Sequence, residues 1–216
     1  PARASSREVK GAEWKTEYDV IHALRGLGHL PQPVGVGSDL GVLRNAIQEF
    51  KPDIAFNLVE AFDDVSIWDA NVVAYLELLK MPYTGCNSRG LVLSRDKAIA
   101  KKVLSYHRVP QADFVVFARG RKVRRPRQLP FPLIVKSLTL DASIGISQAS
   151  VVENEEKLQE RVLFIHESIG TDALVERYIE GRELYVGILG DERLQVLPLW
   201  ELSFDDLPEE SRKIAT

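Results

Sequence analysis

Residues 132–147 read PLIVKSLTLDASIGIS. An apolar run bounded by Phe131-Pro132 and a loop predicts a buried strand over FPLIVKSL, residues 131–138. Lys136 puts a charge at the end of that strand, where burying an ammonium costs free energy unless an anion compensates it. Phosphate is the natural partner, and a lysine snorkelling at a sheet edge is the alternative. Residues 139–147, TLDASIGIS, then gather the small side chains that let backbone N–H groups come close to a phosphate, with Gly145 permitting the approach. The spacing is not that of a Walker A loop, and an ordinary hairpin turn reads equally well.

Two stretches on either side carry related chemistry. Upstream, SRDKAIAKKVLSYHRV predicts a helix over 94–109, with Asp96-Lys97 at its start. A lysine in a first helical turn is ordinarily a solvated side chain. Downstream, ALVERYIEGREL predicts a strand carrying Glu176, a short turn, and a second strand opening at Glu183, so two carboxylates and a stretch of backbone can line one cleft. Strands over DFVVFA, ASVV, ELYVGILG and LQVLPLWEL, with a helix over ENEEKLQERVLFIHESIG, make this half an α+β layer.

The earlier part alternates differently. EWKTEYDVIHALRGLG predicts an amphipathic helix stopped by Gly28, LGVLRNAIQEF a second and WDANVVAYLELLKM a third. Between them lie an extended piece at 33–36 and PDIAFNLV, apolar enough for a buried parallel strand. Residues 14–88 therefore read as a small parallel α/β unit, one that lacks the strand expected before its first helix. Residues 1–13 read as a tail or linker remnant.

The composition is that of a folded protein. Of 216 residues, 45% are apolar and 27% charged, and 28 Lys+Arg against 31 Asp+Glu leave a net charge of −3. No global basic field exists to hold nucleic acid or an anionic membrane, so a bound anion must be held locally. Cys86, alone in the sequence, suits neither a disulfide framework nor a zinc site and fits a reducing cytoplasm. No segment reads as a signal peptide or a membrane span. His22, His29, His107 and His166 have no ligand spacing, and the basic loop at 119–127 reads first as a solvated hairpin tip.

Taken in order, DK at 96–97, PLIVKSLTLDASIGIS and LVERYIEGREL resemble the ATP-grasp superfamily, and within it the D-alanine–D-alanine ligase-like carboxylate–amine ligases. NLVE at 57–60 and PYTGC at 82–86 resemble that group's preceding domain. The resemblance covers about residues 14–205. It implies an ATP-grasp fold divided into an N-terminal α/β domain (14–88), a central subdomain (89–175) and the start of a C-terminal subdomain (176–216). It implies ATP and Mg²⁺ as cofactors, small carboxylate and amine substrates, and a homodimer.

Carried over position by position, the resemblance makes Lys97 and Lys136 the phosphate-binding lysines and 141–147 the loop that closes over the phosphates. Ser143 and Gly145 match that loop's small residues, and Lys136 and Ser143 act at the reacting centre. Glu176, Arg177, Tyr178 and Ile179 resemble the segment that reads adenine, Glu183 the carboxylate that holds the ribose, and Ile134, Val135 and Leu199 flank the base. Two positions depart from D-alanine ligases proper: Ala142 stands where they carry a second serine, and Glu60-Ala61 where they carry histidine-glycine. The magnesium ligands and catalytic arginine are expected beyond Thr216. The reaction implied is ligation through an acyl phosphate, with D-alanine–D-alanine ligase proper or a nucleotide-binding fragment without chemistry as alternatives.

Overall fold

A computed structural model describes residues 14–208 and 211–215, which fall into two compact units divided between Val92 and Leu93. In the first unit, helices α1 (Lys15–Gly26), α2 (Gly41–Phe50) and α3 (Asp69–Leu78) follow the apolar spacing of the sequence. Leu43 of α2 and Val72 and Leu76 of α3 close with Met81 into one buried cluster.

The strand expected over PDIAFNLV contracts to a single parallel bridge. The Ala55 N–H donates to the Pro82 carbonyl at 2.8 Å, and the Thr84 N–H donates to the Ala55 carbonyl at 3.0 Å. The extended piece at 33–36 also forms no ladder. A buried parallel strand needs cover on both faces, yet Ile54 and Phe56 remain 52% and 48% exposed while Ala55 and Val59 pack against the cluster.

Glu77, on the last turn of α3, closes this unit's polar surface. Its Oε1 accepts from the Ser88 N–H at 3.0 Å and the Tyr83 hydroxyl at 2.8 Å, and its Oε2 from the Ser88 hydroxyl at 2.8 Å. The Ser88 N–H first, then the two hydroxyls, hold the carboxyl below the usual glutamate range. A depressed folded-state value stabilises above the unfolded pKa and is lost as pH falls through the folded one. Thermal midpoints of wild type and Glu77→Gln should therefore differ at neutral pH and converge below the ordinary glutamate range.

A helix α4 (Ser88–Arg95) takes the first two residues of the helix expected over 94–109 and ends there. Asp96 is extended there, and its carboxylate accepts the Ala98 and Ile99 N–H groups at 2.9 Å, starting a new helix, α5 (Lys97–Tyr106). An aspartate that caps so well favours two helices over one.

Strands β1 (Phe114–Phe117), β2 (Leu133–Ser137), β3 (Val151–Val152) and β4 (Ala173–Arg177) form an antiparallel sheet in the order β1-β4-β2-β3. Leu133, Val135, Ala173 and Val175 face helix α6 (Glu155–Phe164), burying Leu158 and Val162 of the helix and Ile165 beyond it. Because side chains alternate along a strand, Ile134, Lys136 and Glu176 face the other way, with Ile134 opposite Glu176 across the β2–β4 ladder.

The last stretch is one interrupted hairpin. Strand β5 (Glu183–Tyr185) pairs with β8 (Trp200–Leu202), and β6 (Ile188–Leu189) pairs with β7 (Gln195–Val196). No described helix is long and apolar enough to cross a membrane.

Candidate functional site

Within the second unit, the face of β2 opposite α6 opens into a cavity of about 270 Å³. Lys136 enters it from β2, Lys97 from the first turn of α5, Glu183 from β5, and Ala142 and Ser143 from the loop after β2. Lys97 donates to the Leu140 carbonyl at 2.6 Å and to Asp141 Oδ1 at 3.1 Å, while Arg95 reaches Asp141 Oδ2 at 2.9 Å. A carboxylate thus sits between two cations at the cavity's edge.

The loop itself is tightly organised. The Ser137 hydroxyl accepts the Leu140 N–H at 3.0 Å, and the Ile146 N–H donates to the Ser143 carbonyl at 2.8 Å. Ala142, Ser143 and Gly145 all have positive φ, at 52°, 56° and 74°. At Gly145 a side chain would also meet Ile169, 3.0 Å from an added Cβ. Gly145 is therefore required by loop conformation and packing, and it does not line the cavity.

Arg161 holds the loop from behind. It is buried, donates to the Gly145 carbonyl and to the Ser150 hydroxyl at 2.8 Å, and lays its guanidinium 4.2 Å from the Phe164 ring centre. From the front, the Ser143 hydroxyl donates to the Ala215 carbonyl at 3.1 Å, and Ile214 packs on Ile134, Val151 and Tyr178.

Glu176 is only 7% exposed, and both its oxygens are paired: Oε1 with Lys136 at 2.8 Å and Oε2 with Lys101 at 2.7 Å. Burial pushes this carboxyl up, but the two lysines outweigh it and hold it below the ordinary range. Glu176 therefore stands as an anion.

The other residues singled out from the sequence separate into those the fold brings together and those it does not. Lys97, Lys136, Ser143, Glu183 and Ile134 share the cavity, and Glu176 joins it through Lys136. Arg177 is exposed, its N–H donating to the Asp113 carbonyl; the Tyr178 N–H donates to the Pro132 carbonyl; Ile179 is exposed. Two expected base-flanking residues are corrected. Val135 is fully buried on the α6 side of the sheet, as strand alternation with Ile134 demands, and Leu199 is 63% exposed and outside the cavity lining.

Lys101 and Arg161 were not found by sequence reasoning. The signals were present: Lys101 lies one turn beyond Lys97 on the same helix face, and Arg161 interrupts the apolar stripe of Leu158, Val162 and Ile165. In the basic loop, Arg119 and Arg125 are occupied in holding Gly170 and Glu155. A larger cavity of about 510 Å³, beside Arg108 and Gln128, contains none of the residues singled out from the sequence. Among the described residues, no group of three or more His, Cys, Asp or Glu is placed to hold a metal.

Residues 103–207 match the family described as D-ala D-ala ligase C-terminus. The D-alanine–D-alanine ligase of Pelotomaculum thermopropionicum is 30% identical over 209 residues, covering 93% of this chain and 62% of that protein. A D-alanine–D-alanine ligase from Bacillus anthracis, solved in complex with ATP, superposes with a TM-score of 0.60 at 22% identity, over 76% of this chain and 53% of that one. An L-amino acid ligase from Bacillus licheniformis gives 0.57 at 20% identity, over 80% of this chain and 38% of that one. The chain spans about three-fifths or less of the length of the curated relatives it matches. The antiparallel sheet, the loop behind Lys136 and these likenesses together give the chain an ATP-grasp fold, with a sequence similar to those of D-alanine–D-alanine ligases.

Proposed function

We propose that this chain supplies the nucleotide-binding part of an ATP-dependent carboxylate–amine ligase acting on amino acids. One observation carries the reading: Lys97 and Lys136, from separate elements, reach one cavity beneath the small-residue loop at 141–147. The relatives named above as ligases of D-alanine and of L-amino acids support an amino-acid carboxylate as substrate. In the reaction, a carboxylate oxygen takes the γ-phosphoryl group of ATP and ADP leaves. The amine nitrogen then attacks the acyl phosphate, expelling inorganic phosphate and losing a proton as the amide forms.

Lys97 and Lys136 would neutralise phosphate oxygens, and the Ala142–Ser143 turn would close over them and exclude water, with the Ser143 hydroxyl directed at the transferred group. Glu176, the backbone of Arg177 and Ile179, and Tyr178 would hold the base over Ile134, and Glu183 the ribose hydroxyls. The described residues do not by themselves form a magnesium cage, so the Mg²⁺ requirement belongs to the proposal with no ligand assigned among them. The division of the chain at 88 and 175, a cytoplasmic location and a homodimer are parts of the same reading. D-alanine is not the first choice of substrate, because Ala142 offers no hydroxyl where D-alanine ligases carry a second serine.

The test is ADP release with ATP and Mg²⁺ across D- and L-amino acids, with the product identified by mass. Release that requires an amino acid, together with a dipeptide product, is expected. ATP binding without amino-acid-dependent turnover would favour a binding role alone. Asp141 now sits where it competes with phosphate for Lys97, although more than half of its side chain is exposed. An exposed pair of this kind is worth about 0.2–1 kcal/mol, so Asp141→Asn should tighten ATP binding by about 1.4- to 5-fold in titration calorimetry.

A further inference from the structure

The two lysines on Glu176 are not equivalent. Lys136 lines the cavity and its side chain is a third exposed, whereas Lys101 stands outside the lining, 14% exposed, with its ammonium 5.6 Å from the Phe114 ring centre. A triphosphate in the cavity would draw Lys136 toward itself, leaving Lys101 as the counter-ion of Glu176. From β1 the residue opposite Glu176 is Phe114, and from β2 it is Ile134, so the charged groups that face Glu176 among the described residues are these two lysines.

We propose that Lys101 is a positioning residue that makes the site choose a purine bearing a 6-amino group, by fixing Glu176 as an ionised, acceptor-only carboxylate. The inference rests on the nucleotide-site reading above. An ionised carboxylate accepts hydrogen bonds and donates none. It pairs with an exocyclic amine and meets a 6-oxo group lone pair against lone pair. Without Lys101, burial favours the protonated carboxyl, which donates to a 6-oxo oxygen and so loses the distinction. Lys101 would thus act on the base through Glu176, from the side away from the cavity.

The experiment is titration of ATP and of inosine triphosphate into wild type, Lys101→Met, Lys101→Arg and Glu176→Gln. Wild type should prefer ATP by at least about tenfold, the scale of one mismatched hydrogen bond. Lys101→Met should bring the ratio near unity, mainly by improved binding of inosine triphosphate, and Lys101→Arg should restore it. Glu176→Gln, whose amide can donate to a 6-oxo oxygen, should also lose the preference, and it keeps the test decisive if Lys101→Met does not fold. A Lys101→Met ratio equal to wild type, or a Glu176→Gln variant that keeps the preference, would overturn the inference. Equal wild-type binding of both nucleotides overturns it while leaving the nucleotide site standing. Binding of neither overturns the site and the inference together.

Discussion

Lys136→Met is expected to weaken ATP binding by about 100-fold, the largest effect of any single substitution considered for the nucleotide. A hydrogen bond between charged groups is worth about 1.5–3 kcal/mol, or roughly 10- to 150-fold. The upper part of that range applies because Lys136 serves two anions. It faces the cavity where phosphate would lie, and it holds Glu176 Oε1 at 2.8 Å. Its removal leaves a buried carboxylate with Lys101 alone and takes one positive charge from the phosphate site. Calorimetric titration against a variant of unchanged circular dichroism measures the loss. A change of less than threefold would place phosphate away from β2.

Arg161→Met is expected to destabilise the second unit by about 2–3 kcal/mol, the cost of orphaning hydrogen-bonded acceptors. Two effects oppose each other here. Burial disfavours the guanidinium charge and lowers its pKa, so removing it recovers desolvation free energy. Against this, the Gly145 carbonyl and Ser150 hydroxyl lose their donor, and the Phe164 ring loses its cation. The acceptors decide the sign, because methionine restores packing but offers no N–H. Arg161→Lys keeps the charge without the planar fork and should recover less than half of the loss. Thermal unfolding should show a midpoint lowered by about 5–10 °C for Arg161→Met, on the usual scale for a domain of this size. An unchanged midpoint would mean that the loop holds its shape without Arg161.

The parts of the fold that rest on one contiguous signal were legible in the sequence. FPLIVKSL reads as a strand because its apolar run is short and bounded, and β2 lies within it. The helix expected over 94–109, with Asp96-Lys97 at its start, begins at Lys97 because the Asp96 carboxylate caps it, and Ser94 and Arg95 belong to the helix before. PDIAFNLV was misread because apolar content reports burial, whereas a ladder also needs neighbouring backbone. Around the site, Lys136 was legible as a charge ending an apolar strand, whereas Ser143 was singled out only through the family resemblance. Val135 was placed on the wrong side because the resemblance named a stretch, and only the two-residue alternation separates it from Ile134. Lys101 and Arg161 escaped because their partners, Glu176 and Gly145, come from strands and loops distant in sequence.

The central claim is that ATP binds between Lys97, Lys136 and the loop at 141–147. Hydrogen–deuterium exchange with and without ATP tests it most directly, since bound phosphates slow exchange of the N–H groups that hold them. Slower exchange confined to residues 97–101, 138–147 and 176–183 is the predicted result. Protection concentrated instead around Arg108 and Gln128, beside the larger cavity, or no protection at saturating ATP, would contradict it.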